Sequence, residues 1–170
     1  GTCCYNPEPL ADFFDLFYIG EGETQYRRLL DVYKECRDAG KSREEFLLQA
    51  AKIPGMYVPR FYETAYNDDG TIKSFRPTRE GVPARVTKEV QMDVTDTYYP
   101  MKPVVPFIKI TQDRVVLEIQ RGCIRGCRFC QAGQLYRPVR ERDVETLKQW
   151  AMEMLENTGQ EEITLSSLSS

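Results

Sequence analysis

Histidine is missing from all 170 residues. Without an imidazole, these residues hold no Ser-His or Cys-His nucleophile pair, no mixed Cys/His zinc finger and no His-ligated haem. Long apolar runs are also missing. The longest, such as Val115-Val116-Leu117 and Phe46-Leu47-Leu48, fall far short of the roughly 18 residues that a membrane span needs. No signal-peptide pattern opens the chain, so the expectation is a cytoplasmic protein with no membrane partner. An excess of positive charge is lacking as well: the net charge of -3 argues against bulk nucleic-acid binding. Six cysteines at uneven spacing, with no export signal, read as reduced thiols and metal ligands, not as a disulfide framework. The length allows one domain or two small ones, with enough apolar residues for a core.

Three of those cysteines stand together in the text RGCIRGCRFC, as Cys123, Cys127 and Cys130. The spacing C-x3-C-x2-C places three thiolates in one tight loop and leaves a fourth coordination position open. Structural zinc sites close with four ligands and ferredoxin clusters likewise take four cysteines, so three point to a centre that binds something small at its free position. Gly122 and Gly126 give the loop backbone freedom to wrap a metal group. Arg121, Arg125 and Arg128 place positive charge beside the thiols, which favours their deprotonated form.

With Phe129 just before the last Cys, this segment resembles the signature of radical S-adenosylmethionine (radical SAM) enzymes. The resemblance implies a 4Fe-4S cluster on Cys123, Cys127 and Cys130, with S-adenosylmethionine chelated at the open iron. Reductive cleavage would then yield a 5'-deoxyadenosyl radical that modifies a substrate, with an external reductant such as flavodoxin or ferredoxin supplying the electron. It also implies that Phe129 lies near the adenine. In the family, a small-residue motif ending the second barrel strand, usually Gly-Gly-Glu, contacts the amino group of S-adenosylmethionine. The text here is SSLSS, which makes Ser166 and Ser167 the candidates, by hydroxyl hydrogen bonds. Between Arg114 and Arg142 lie seven Arg against two Glu. That patch faces the cluster, the S-adenosylmethionine carboxylate, a polyanion such as RNA, or solvent.

The pattern along the chain predicts an α/β protein with three parts. Residues 1–24, read as turn, short helix and a buried strand over 16–19, resemble the end of a doubly wound cobalamin-binding domain, which adds cobalamin as a possible cofactor. Residues 25–106 form a connecting α+β region. In it, Tyr26, Leu29, Leu30, Tyr33 and Cys36 mark the buried stripe of one helix, with Cys36 a small core residue. Ser42 and Glu45 make a capping box for a second helix. Residues 57–62 and 71–73, around an Asp-Gly turn, make a hairpin. A Pro-rich stretch with a strand-like run over 84–90 follows. Residues 107–170 begin a (β/α) barrel: a second hairpin from 107–110 into 115–119, the cysteine loop, a helix capped by Asp143 and closed at Gly159, and a parallel strand from Glu162. A full barrel uses about 200 or more residues, so the expectation is a fragment, inactive alone.

No motif names the substrate. Methyl transfer through cobalamin and substrate rearrangement both remain open, and an RNA or ribosomal target is one reading. A competing function is a structural zinc loop in which Cys3, Cys4 or Cys36 completes the three cysteines and the Arg patch contacts nucleic acid. A plain electron-transfer cluster is a third reading, lacking a nearby fourth Cys.

Overall fold

The computed structural model describes residues 2–95 and 97–169, and the chain divides into two units, Gly1–Gln91 and Met92–Ser170. The three-part reading of the sequence sets its boundaries at 24 and 106. Together the elements make a mixed α/β structure.

In the first unit, a 3-10 turn forms at Glu8–Leu10, and residues 12–15, where the sequence predicts the short helix, form turns and a bend instead. The short strand β1 (Phe17–Tyr18) leads into α1 (Gly22–Asp38) and α2 (Arg43–Ala50). Strand β1 pairs antiparallel with β2 (Met56–Tyr57) of the same unit. The Ser42 hydroxyl accepts from the Glu45 N–H while Glu45 accepts from the Ser42 N–H, the reciprocal arrangement that starts α2. Leu47, Ala51, Val58 and Phe61 fill one core cluster, and Tyr18, Ile53 and Met56 fill another.

The helix stripe read from sequence is only partly right. Leu29 and Val32 pack on the Tyr18 cluster and Cys36 is buried. Tyr26, Leu30 and Tyr33 are exposed instead. Two periodic sets compete on this helix. The tyrosines, whose hydroxyls tolerate water, take the rim, with rings against Tyr18 at 5.0 Å and Phe46 at 5.3 Å.

The expected strand over 57–62 is broken because Pro59 opens a 3-10 turn, Pro59–Phe61. Beyond it, β3 (Tyr62–Tyr66) and β4 (Ile72–Pro77) form the predicted Asp-Gly hairpin. The run 84–90 makes no strand and contributes one bridge, Glu89 to Gly20. Gly20, at φ +145, allows it: a Cβ there would lie 2.5 Å from the Glu89 carbonyl oxygen.

In the second unit, β5 (Val115–Glu118) pairs in parallel with β8 (Ile163–Ser166), and α4 (Val144–Thr158) crosses between them. Val115 and Leu117 pack on Met154, with Trp150 and Leu155 alongside. Each such buried side chain is worth about 1.5–3 kcal/mol. Asp143 accepts from the Thr146 N–H to start α4, and Gly159, left-handed at φ 69, ends it, both as read from sequence.

The second hairpin is absent. Residues 107–110 are not a strand, and Phe107 and Ile108 face solvent. Pro103 and Pro106 interrupt that stretch, and the free edge of β5 is engaged otherwise: the Tyr99 hydroxyl donates to the Val116 carbonyl at 3.0 Å and accepts from the Glu118 N–H at 3.1 Å. Three short elements lie within the loop from β5 to α4, namely β6 (Gln120–Arg121), α3 (Ala132–Leu135) and β7 (Arg140–Glu141).

Candidate functional site

The loop that carries the three cysteines leaves β5 at its C-terminal end, where βα units place their chemistry. Its stems are zipped together. Strand β6 pairs antiparallel with β7, Gln120 opposite Glu141 and Arg121 opposite Arg140. Just below, the Arg142 N–H donates to the Ile119 carbonyl and the Ile119 N–H donates to the Ser166 carbonyl, each at 3.0 Å. Gly122 follows at φ +90, and a Cβ there would lie 2.7 Å from both the Tyr136 and Pro138 carbonyl oxygens. Only glycine fits where the two stems pass so closely.

Within the loop, Cys123 is turned inward, Cys130 is half-buried and Cys127 is exposed, all as free thiols. Among the described residues, no set of three Cys, Asp or Glu side chains is gathered closely enough to hold a metal ion. The donor chemistry nevertheless suits a thiolate-bound cluster. A hydrogen bond from the Ser169 side chain, one from the Arg125 N–H and the charges of Arg125 and Arg137 hold the Cys123 thiol below its ordinary value. Phe129 is 93% exposed on the same loop. The Gln120 side-chain amide donates to the Ser169 carbonyl at 2.9 Å, which ties the end of β8 to the loop's first stem.

The Arg patch sorts into three groups. Arg125, Arg128 and Arg137 are exposed around the thiols, and Arg114 pairs with Glu162 at 3.6 Å. The other three are structural. Arg140 is buried and donates to the Pro138 carbonyl at 3.0 Å and the Tyr136 carbonyl at 3.3 Å. The Arg142 side chain, 1% exposed, donates to the Glu118 carboxylate at 2.6 Å. It also donates to the Glu118 carbonyl at 2.8 Å, to the Thr97 hydroxyl at 3.1 Å and to the Val94 carbonyl. Its guanidinium lies 5.3 Å from the Tyr99 ring centre and 5.2 Å from that of Trp150. Arg121 donates through Nε to both Glu118 carboxylate oxygens, at 2.9 and 3.0 Å. Burial alone would raise the Glu118 carboxyl, but hydrogen bonds from Arg121 and Arg142 outweigh it and hold the group below its ordinary value.

Sequence reasoning missed Glu118, Tyr99, Arg142 and Ser169. Arg142 adjoins the helix cap Asp143, the one local signal that its side chain would be fixed. Ser169 lies in the Ser-rich text already singled out, while Ser166 is exposed and Ser167 half-buried. Cys36, as expected of a core residue, is buried, with its thiol donating to the Gln49 side-chain amide oxygen (Oε1) at 3.6 Å.

Residues 117–169 match the model of the radical SAM superfamily, and residues 1–59 match the model of the N-terminal region of radical SAM proteins. The two matches support a radical SAM protein, a family that uses S-adenosylmethionine and usually a 4Fe-4S cluster. Neither matched family is a zinc module. An uncharacterized protein of Methanocaldococcus jannaschii is 28% identical over 145 residues, 85% of this chain and 25% of that protein. The chain thus spans about a quarter of the length of that curated relative. No solved structure matches. No helix among the described residues is long and apolar enough to cross a membrane.

Proposed function

We propose that this chain carries the cluster-binding part of a radical SAM enzyme, with Cys123, Cys127 and Cys130 as the three ligands. The observation that carries the reading is a single loop of three free thiols, closed at its neck, leaving the C-terminal end of a parallel strand. Bound there, a 4Fe-4S cluster supplies the electron that cleaves S-adenosylmethionine to methionine and a 5'-deoxyadenosyl radical. The chain's own residues do the rest. Arg125 and Arg137 offset the negative charge of a thiolate-ligated group beside Cys123. Phe129 offers an exposed ring for the adenine, and the hydroxyls of Ser166 and Ser167 accept from the amino group of S-adenosylmethionine.

The electron comes from a flavodoxin- or ferredoxin-like donor. The free thiols Cys36, Cys123, Cys127 and Cys130 fit a reducing cytoplasm. The reading of residues 1–24 as the close of a cobalamin-binding domain rests on their text alone, since the match over 1–59 does not extend to cobalamin. The exposed Arg125, Arg128 and Arg137 give an RNA or ribosomal substrate its only support.

Anaerobic reconstitution of the complete natural polypeptide tests the ligand set. The expected result is bound iron and sulfide that are lost when any one of Cys123, Cys127 or Cys130 is changed to Ala and kept in Cys36→Ala. Stoichiometric zinc without iron, or loss of the metal in Cys36→Ala, would contradict it.

A further inference from the structure

The Glu118 carboxylate is held by two arginines that belong to opposite stems of the cysteine loop. Arg121 lies on β6, two residues before Cys123, and Arg142 follows β7 directly. Both Glu118 oxygens take part: one accepts from Arg121 at 2.9 Å, the other from Arg121 at 3.0 Å and from Arg142 at 2.6 Å. A carboxylate bridging two guanidiniums is a strong and directional contact. The bridge itself is anchored, because Arg142 is fixed by two carbonyls, the Thr97 hydroxyl and the faces of Tyr99 and Trp150. The rest of the neck is short and made by the backbone: two residue pairs between β6 and β7, the Arg142 N–H on the Ile119 carbonyl and the Arg142 side chain on the Glu118 carbonyl.

Ordinary helix and sheet packing does not need this contact. Strand β5 is already held by β8, by the Tyr99 hydroxyl and by Met154. What Glu118 adds is a tie between the first and last residues of the loop that bears the thiols.

We propose that Glu118, gripping Arg121 and Arg142 at once, is a positioning residue that closes the neck of the thiol loop and sets how firmly an iron-sulfur cluster is retained there. The inference rests on the cluster reading above. Glu118 touches no ligand. It acts through Arg121 and the short stem that leads to Cys123, so its removal leaves all three thiols in place and frees the stems to part.

The test uses the complete natural polypeptide, reconstituted anaerobically, as wild type, Glu118→Gln and Met154→Ala. The last loosens the same unit through its apolar core and leaves the neck intact. Two quantities are read: the rate at which a ferrous chelator strips iron, and the reduction potential of the cluster. Glu118→Gln is expected to release iron about 10-fold faster than wild type, the low end of the roughly 10- to 100-fold loss of metal affinity typical when groups bonded to the ligands themselves are removed. Its potential is expected to shift upward, because a parted neck admits water that stabilises the more negative, reduced cluster. Met154→Ala is expected to match wild type in both. Wild-type release or wild-type potential in Glu118→Gln overturns the inference, as does Met154→Ala releasing iron as fast as Glu118→Gln. Wild-type protein that takes up no iron sinks the cluster reading itself and this inference with it.

Discussion

Gly122 and Arg142 carry the sharpest single-residue consequences. At Gly122, φ +90 combines with backbone atoms within 2.9 Å of where a Cβ would sit, none of which can swing aside. Gly122→Ala therefore forces the stems apart, and trypsin should cut faster after the exposed Arg125 and Arg128 than in wild type; an unchanged digestion pattern would refute this. Arg142→Met keeps the aliphatic bulk beside the stacked Tyr99 and Trp150 but leaves the Val94 carbonyl with the Thr97 hydroxyl alone, takes the Arg142 donor from the Glu118 carbonyl and leaves the Glu118 carboxylate with Arg121 alone. Breaking a buried pair of this kind costs about 3–5 kcal/mol, and since Glu118 is partly open to water the lower end is expected, measured by chemical denaturation. The Glu118 carboxyl also sets a pH dependence. Its folded value lies below the ordinary 4.5. Its contribution is therefore full above pH 4.5 and is lost as the pH falls through the folded value. Acid titration followed by near-UV circular dichroism should show the second unit weakening in that window, and Glu118→Gln should flatten this part of the curve.

Among the elements, those with local, backbone-directed signals were legible in the sequence. The Ser42/Glu45 box, the Asp143 cap, the Asp-Gly turn of β3 and β4 and the left-handed Gly159 all depend on residues within a turn of each other. Asp143→Ala should accordingly cost about 1 kcal/mol, read from the thermal melt. What failed depended on partners far along the chain. The alternation in 107–110 looks the same whether or not a second strand comes to meet it, and here the Tyr99 hydroxyl holds the edge of β5. Tyr26 and Tyr33 share the helical period of the core yet sit at its rim, because tyrosine serves both places. The cysteine loop stood out from its spacing alone, and residues 117–169, which hold it, match the radical SAM superfamily. Its neck was not legible, because, apart from the place of Arg142 beside the Asp143 cap, nothing in the text distinguishes Arg121, Arg140 and Arg142, which are held by carbonyls and a carboxylate, from the exposed Arg125, Arg128 and Arg137.

For the molecule as a whole, family matches bracket the chain at 1–59 and 117–169, while the hairpin and Pro-rich residues between them belong to neither. The proposed radical chemistry would need the second unit's loop, and whatever selects a substrate would involve more than the three thiols. The most direct test is to incubate the anaerobically reconstituted, complete natural polypeptide with dithionite and S-adenosylmethionine and to quantify 5'-deoxyadenosine. The account predicts its slow formation, abolished in Cys123→Ala, Cys127→Ala and Cys130→Ala. A fully iron-loaded protein that forms no 5'-deoxyadenosine, or one that forms it equally well without Cys127, would contradict it.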